Sequence, residues 1–201
     1  MKEIEQTIKP ERHPWPPYIP DGAMVLIMGT FPPGPHRWSM DFYYPNRTND
    51  FWKVMGLIFM GSPDALYDKN LQSFDLKAIK QLLTENKIAL NDTGRVVRRL
   101  KGNASDKFLE ILEPAPLFDL LSQMPECSTV ATTGEKAASV IAELTNTRVP
   151  KMGEKIVLSP YDKRSTGLNI WRMPSTSRAY PMALEKKAEY YASLFEDAGI
   201  L

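Results

Sequence analysis

MVLIMG, Met24 to Gly29, is an apolar run too short for an ordinary helix and closed by a glycine. Three later stretches share its character: Lys87 to Asn91 (KIALN), Thr129 to Thr133 (TVATT) and Leu168 to Met173 (LNIWRM). Such short runs fit parallel strands covered on both faces. Between and around them lie segments expected to be helical: Asp50 to Met60, Leu76 to Asn86, Asp106 to Ile111, Leu117 to Gln123, Glu135 to Leu144 and Pro181 to Asp197. Strands alternating with helices imply a three-layer α/β/α sandwich around a central four-stranded parallel sheet with right-handed crossovers. Ligands of such sheets sit beyond the carboxyl ends of the strands, so the residues that follow each run are where chemistry is expected.

The composition suits this class. A chain of 201 residues, 43% hydrophobic and 24% charged, is long enough for one α/β domain with a real core. Residues 1–22 carry five prolines among charged and aromatic residues and read as an extended surface arm, leaving 23–201 as the domain. No apolar run reaches membrane-span length and the start lacks the pattern of a signal peptide, so a cytoplasmic protein is expected. Cys127 is the lone cysteine, and His13 and His36 are flanked by no cysteine pair, so no structural metal is expected, and the chemistry the chain suggests calls for no cofactor. A net charge of +1 offers no global attraction to nucleic acid, which leaves local patches to provide any such contact.

After the first strand, Gly29-Thr30-Phe31-Pro32 leads into a loop dense in aromatics and amides, Tyr43-Tyr44 through Asn49-Asp50-Phe51-Trp52. A flat base could stack on these rings while an amide bonds its edge. Equally, Thr48, Asn49 or Asp50 could cap the helix that begins near Phe51. Asn91 closes the second strand, where its amide could read a ring N–H and a carbonyl together or close an Asx turn. Arg95, Arg98 and Arg99 follow, as a phosphate-binding run or a solvated helix face. Ser175, Thr176, Ser177 and Arg178 follow the fourth strand, where hydroxyls can donate to phosphate oxygens or cap the last helix.

Taken in order, three of these segments resemble the uracil-DNA glycosylase superfamily, and its hypoxanthine-DNA glycosylase branch in particular. Gly29-Thr30-Phe31-Pro32 resembles that branch's Gly-Ser-Phe/Met-Pro. Tyr43-Tyr44 and Asn49-Asp50-Phe51-Trp52 resemble its Tyr-Tyr and Asn-x-Phe-Trp, and Met173-Pro174-Ser175-Thr176-Ser177 resembles its Leu-Pro-Ser-Thr-Ser. The likeness spans about residues 23–197. It implies an enzyme that hydrolyses the N-glycosidic bond of a deaminated base, uracil or hypoxanthine, in DNA. Asn49 would be the catalytic residue, Gly29, Phe31, Tyr43, Tyr44, Phe51 and Asn91 would hold the base, and Ser175, Thr176, Ser177, Arg178, Arg95, Arg98 and Arg99 would hold DNA.

Three departures stand out. Phe31 stands where the uracil enzymes carry an aspartate and the mismatch enzymes an asparagine, and Met173 stands where the uracil enzymes carry a histidine that donates to the departing base. Asn91 stands where the hypoxanthine branch tends to carry tryptophan, which tilts the expected substrate toward uracil. The alternative is a glycosylase-like domain that binds DNA or a nucleotide without cutting it.

Overall fold

The computed structural model describes residues 9–101, 106–159 and 167–201. In chain order the strands are β1 (Glu11–Arg12), β2 (Val25–Gly29), β3 (Tyr67–Asp68), β4 (Ser73–Phe74), β5 (Ile88–Asp92), β6 (Gly94–Arg99), β7 (Leu109–Pro114), β8 (Thr129–Thr133), β9 (Lys155–Leu158) and β10 (Leu168–Met173). The α-helices are α1 (Phe51–Met60), α2 (Leu76–Glu85), α3 (Leu117–Ser122), α4 (Glu135–Thr145) and α5 (Leu184–Asp197).

The central sheet has the order β5-β2-β8-β10-β9. The first four strands are parallel, as the four apolar runs require. The sheet is nevertheless five-stranded and mixed, because β9 pairs antiparallel along the outer edge of β10. Its sequence, KIVL, alternates between exposed and half-buried positions, the pattern of an edge strand with one face wetted.

Strand pleating divides the core. Val25 and Ile27 of β2, with Ile88 and Leu90 of β5, face the cluster built on α1, α2 and α5. Leu26 and Met28, with Ala89, face the cluster built on α3 and α4. A five-residue strand can serve two cores only if nearly every side chain is apolar, which is why MVLIMG reads as an unbroken run.

A second sheet differs from the expectation. The stretch expected as a helix over Asp106 to Ile111 is a short 3-10 turn, Asp106–Phe108, followed by β7. β7 pairs antiparallel with β6, and β1 pairs with the other edge of β6. The three arginines therefore lie on a strand. Phe108, Leu109 and Ile111 fit a helical stripe as well as a strand, and a run this short does not separate the two periods.

The described part of the arm, residues 9–22, runs extended over the domain. Beyond β1, Tyr18 exchanges backbone hydrogen bonds with Leu90 at 2.9 and 3.0 Å. No helix among the described residues is long and apolar enough to cross a membrane.

Candidate active site

β2 has β5 on one side and β8 on the other, the crevice-forming arrangement of an open α/β sheet. The carboxyl ends of these strands deliver Gly29, Asp92 and Thr133 to one cleft of about 690 Å³. Thr30, Phe31, Tyr44, Asn49, Ser175, Ser177 and Arg178 also line it. Loops more than a hundred residues apart in sequence thus meet at one place, including all three motif segments.

Asn49 lies in the turn before α1. Its Oδ1 accepts the Phe51 N–H at 2.9 Å, so the side chain closes the helix start and borders the cleft at the same time. One lone pair of that oxygen and both Nδ2 hydrogens remain for other partners. The neighbouring Asp50 ties this turn to the hydroxyl loop. Its N–H donates to the Thr176 carbonyl at 2.8 Å, and its Oδ2 accepts from the ammonium of Lys187 at 2.8 Å. Lys187 is fully buried and also donates to the Ser177 carbonyl at 3.2 Å, so a single α5 side chain staples both loops.

Tyr44 forms an aromatic wall. It stacks on Phe51 with centroids 3.8 Å apart, and its hydroxyl sits 3.2 Å from that of Thr133. Its φ of 52° is left-handed, an uncommon state for a tyrosine and one that marks functional turns. Burial, followed by the charge of Asp92, raises its phenol well above the ordinary value, so the ring enters the cleft as a neutral donor.

Ser175 Oγ accepts the Ser177 N–H at 3.2 Å and Ser177 Oγ accepts the Ala179 N–H at 3.3 Å. Both hydroxyl hydrogens are therefore left to donate outward, and Arg178 extends from the exposed rim beside them. Thr176 borders the cleft too, but it is 2% exposed and works through its carbonyl.

Several expected site residues stand elsewhere. Asn91 is buried and away from the main cleft; Tyr43 donates to its Oδ1 at 3.1 Å, and its Nδ2 donates to the Asp92 carbonyl. β5 runs one residue further than KIALN, so the alternation sends Asp92, and not Asn91, to the cleft. Tyr43 is 1% exposed and bonds Asn91 and Pro16, which puts it behind the site. Phe51 is wholly buried and supports Tyr44 from below. Arg98 pairs with Glu110 at 2.9 Å, and Arg99 pairs with Glu11 and donates to the Pro32 carbonyl at 2.6 Å. Arg95 is exposed beside a different cavity, so this trio does not border the main cleft.

The sequence reading missed Asp92 and its partner. His13, from the arm, places Nε2 2.9 Å from Asp92 Oδ2, and both side chains are 8% exposed. Burial pulls the imidazole pKa down, but the hydrogen bond and charge of Asp92 and the Trp15 carbonyl outweigh it, leaving His13 above its ordinary value. Proline-rich surroundings gave no hint that this histidine reaches inward. Among the described residues no cluster of three or more His, Cys, Asp or Glu is placed to hold a metal ion.

A hypoxanthine DNA glycosylase from Methanosarcina barkeri is 30% identical to this chain over 124 residues, 61% of this chain and 71% of that one. The chain belongs to the hypoxanthine-DNA glycosylase family of the uracil-DNA glycosylase superfamily. The fold agrees: the solution structure of a candidate uracil DNA glycosylase from Methanosarcina acetivorans superposes with a TM-score of 0.63 at 19% identity, covering 95% of this chain and 99% of that one. No protein-family model matches the chain. Met173, at the position where a donor histidine is the expectation for the uracil enzymes, is 0% exposed and packs in the core.

Proposed function

We propose that this family member removes a deaminated base from DNA by hydrolysing its N-glycosidic bond. The observation that carries the reading is the convergence of Phe31, Tyr44, Asn49 and the Ser175 to Arg178 loop on one cleft. A base flipped out of the helix would lie against Tyr44, whose rigid backing by Phe51 spares it any reordering. Ser175, Ser177 and Arg178 would grip the flanking phosphates. Asn49, fixed by the Phe51 N–H, would hold a water against the anomeric carbon through its remaining lone pair.

Hypoxanthine is the proposed lesion ahead of uracil. The case for uracil rested on Asn91 reading the base edge, and Asn91 is spent on Tyr43 and on backbone. The M. barkeri relative, named for hypoxanthine, supports the purine. A cytoplasmic site of action belongs to the same proposal.

The test incubates the protein with end-labelled duplexes containing hypoxanthine, uracil, xanthine or no lesion, with and without chelator, then applies alkali to break abasic sites. Hypoxanthine strands should break fastest, and chelator should leave the rate unchanged. A folded protein that binds lesion duplex yet breaks no strand would favour the non-cutting alternative.

A further inference from the structure

Hydrolysis removes a proton from water, and Asn49 is an amide that cannot hold one near neutral pH. Among the titratable groups lining the cleft, Arg37, Lys107 and Arg178 are cations, the Tyr44 phenol is pushed up by burial, and the Tyr180 phenol donates to the Met152 sulfur at 3.0 Å. Two carboxylates remain, Asp92 and Asp106. Asp106 is exposed on the rim, with Oδ2 accepting from the Thr30 hydroxyl at 3.1 Å. Asp92 is 6% exposed at the end of β5, on a rigid sheet, with Oδ2 held by His13.

The second oxygen of Asp92 faces Gly29. A methyl group on Gly29 would come within 2.5 Å of Oδ1 and 3.1 Å of the Tyr44 hydroxyl, so the bare backbone gives the carboxylate its place beside the aromatic wall. Behind Asp92, the His13 ring is stacked on Tyr43 at 5.5 Å and edge-on to Phe31 at 5.4 Å. Its Nδ1 lies 2.9 Å from the Trp15 carbonyl and 3.3 Å from the Trp15 N–H. Nδ1 can therefore donate when protonated and accept when neutral, while Nε2–H stays on Asp92 in both states. Asp92 and His13 also border a second cavity of about 410 Å³.

We propose that Asp92 takes the proton from the attacking water, and that His13 of the N-terminal arm is its positioning residue. The proposal rests on the glycosylase reading above. As the water oxygen bonds to C1′, one of its protons passes to Asp92 Oδ1. The C1′–N bond breaks, its electron pair leaves with the base, the base takes a proton from solvent, and Asp92 returns its own to solvent.

The charged and titratable groups facing this pair are Asp106 from the 3-10 turn, Tyr43 and Tyr44 from the loop after β2, Arg12 of β1 and Arg95 of β6. The experiment compares single-turnover cleavage by wild type, Asp92→Asn, Asp106→Asn and His13→Gln across a pH series, beside melting temperature and lesion binding. Asp92→Asn should cleave about a hundredfold more slowly at every pH with binding kept, and should lose far more than Asp106→Asn. His13→Gln removes a side chain that, when protonated, sets a positive charge 2.9 Å from Asp92 Oδ2, so its rate should fall at low pH, where His13 is charged, and approach wild type at high pH. This profile carries the test even if Asp92→Asn fails to fold. Cleavage by Asp92→Asn within a few-fold of wild type, an equal loss in Asp106→Asn, or a pH-independent loss in His13→Gln would overturn the proposal. A wild type inactive on every lesion would instead overturn the reading beneath it.

Discussion

Asn49 carries two duties that substitution can separate. Its Oδ1 caps the start of α1 through the Phe51 N–H, and the same side chain borders the cleft. Removing a cap costs about 1 kcal/mol, whereas removing a transition-state contact costs rate. Asn49→Ala is expected to lower the melting temperature slightly and single-turnover cleavage by about a hundredfold, with lesion binding nearly unchanged. A variant that melts earlier but cleaves normally would reduce Asn49 to a cap. At this scale the sequence brought Gly29, Phe31, Tyr44, Asn49, Ser175, Ser177 and Arg178 to one cleft, although two further motif residues, Tyr43 and Phe51, lie behind it. It was illegible where a choice between neighbours hung on alternation. Asn91 against Asp92, and Tyr43 against Tyr44, are one position apart, and in each pair one residue faces the cleft while the other faces inward. For the tyrosines that choice goes with the left-handed turn at Tyr44, which no side-chain pattern announces.

Among the elements, α5 reaches furthest into the site without bordering it. Lys187 is enclosed, and its ammonium meets Asp50 and the Ser177 carbonyl. Taking away one member of a buried ion pair costs about 3–5 kcal/mol, and without Lys187 the Asp50 carboxylate keeps only Lys53, 3.9 Å away, as a cationic neighbour. Lys187→Met should therefore destabilise by roughly that amount in denaturant melts, and adding Asp50→Asn should recover part of it. If the two losses simply add, the residues do not act as a pair. The four parallel strands and five of the six expected helices were readable, because a strand serving two cores is apolar throughout and a helix serving one shows a stripe. β6 and β7 were not, since they form a separate sheet, and β9 was not, since as an edge strand it is only half-buried on alternate residues. GRVVRR looked basic when only charge was counted; on the sheet two of its arginines neutralise Glu11 and Glu110.

For the whole molecule, the arm enters the stability balance through His13. Its folded pKa lies above the unfolded value, so the folded state binds the proton more tightly. The resulting stabilisation is complete below the ordinary imidazole value of about 6.5 and fades as pH rises through the raised one. The melting-temperature gap between wild type and His13→Gln should be widest in mild acid and narrow toward alkaline pH. A gap that widens with pH would contradict the sign. Among the described residues of the arm, Glu11–Arg12 and His13 pair with β6 and Asp92, Tyr18 pairs with Leu90, and Trp15 donates to Asp41 at 2.6 Å. A protease that nicks the chain near residue 22 would sever the arm while leaving every strand of the central sheet whole, though Trp15, Tyr18 and Ile19 pack on the two cores. A clipped protein that shed the arm would keep its central sheet yet lose His13 from Asp92, so melting temperature and working pH range would shift together.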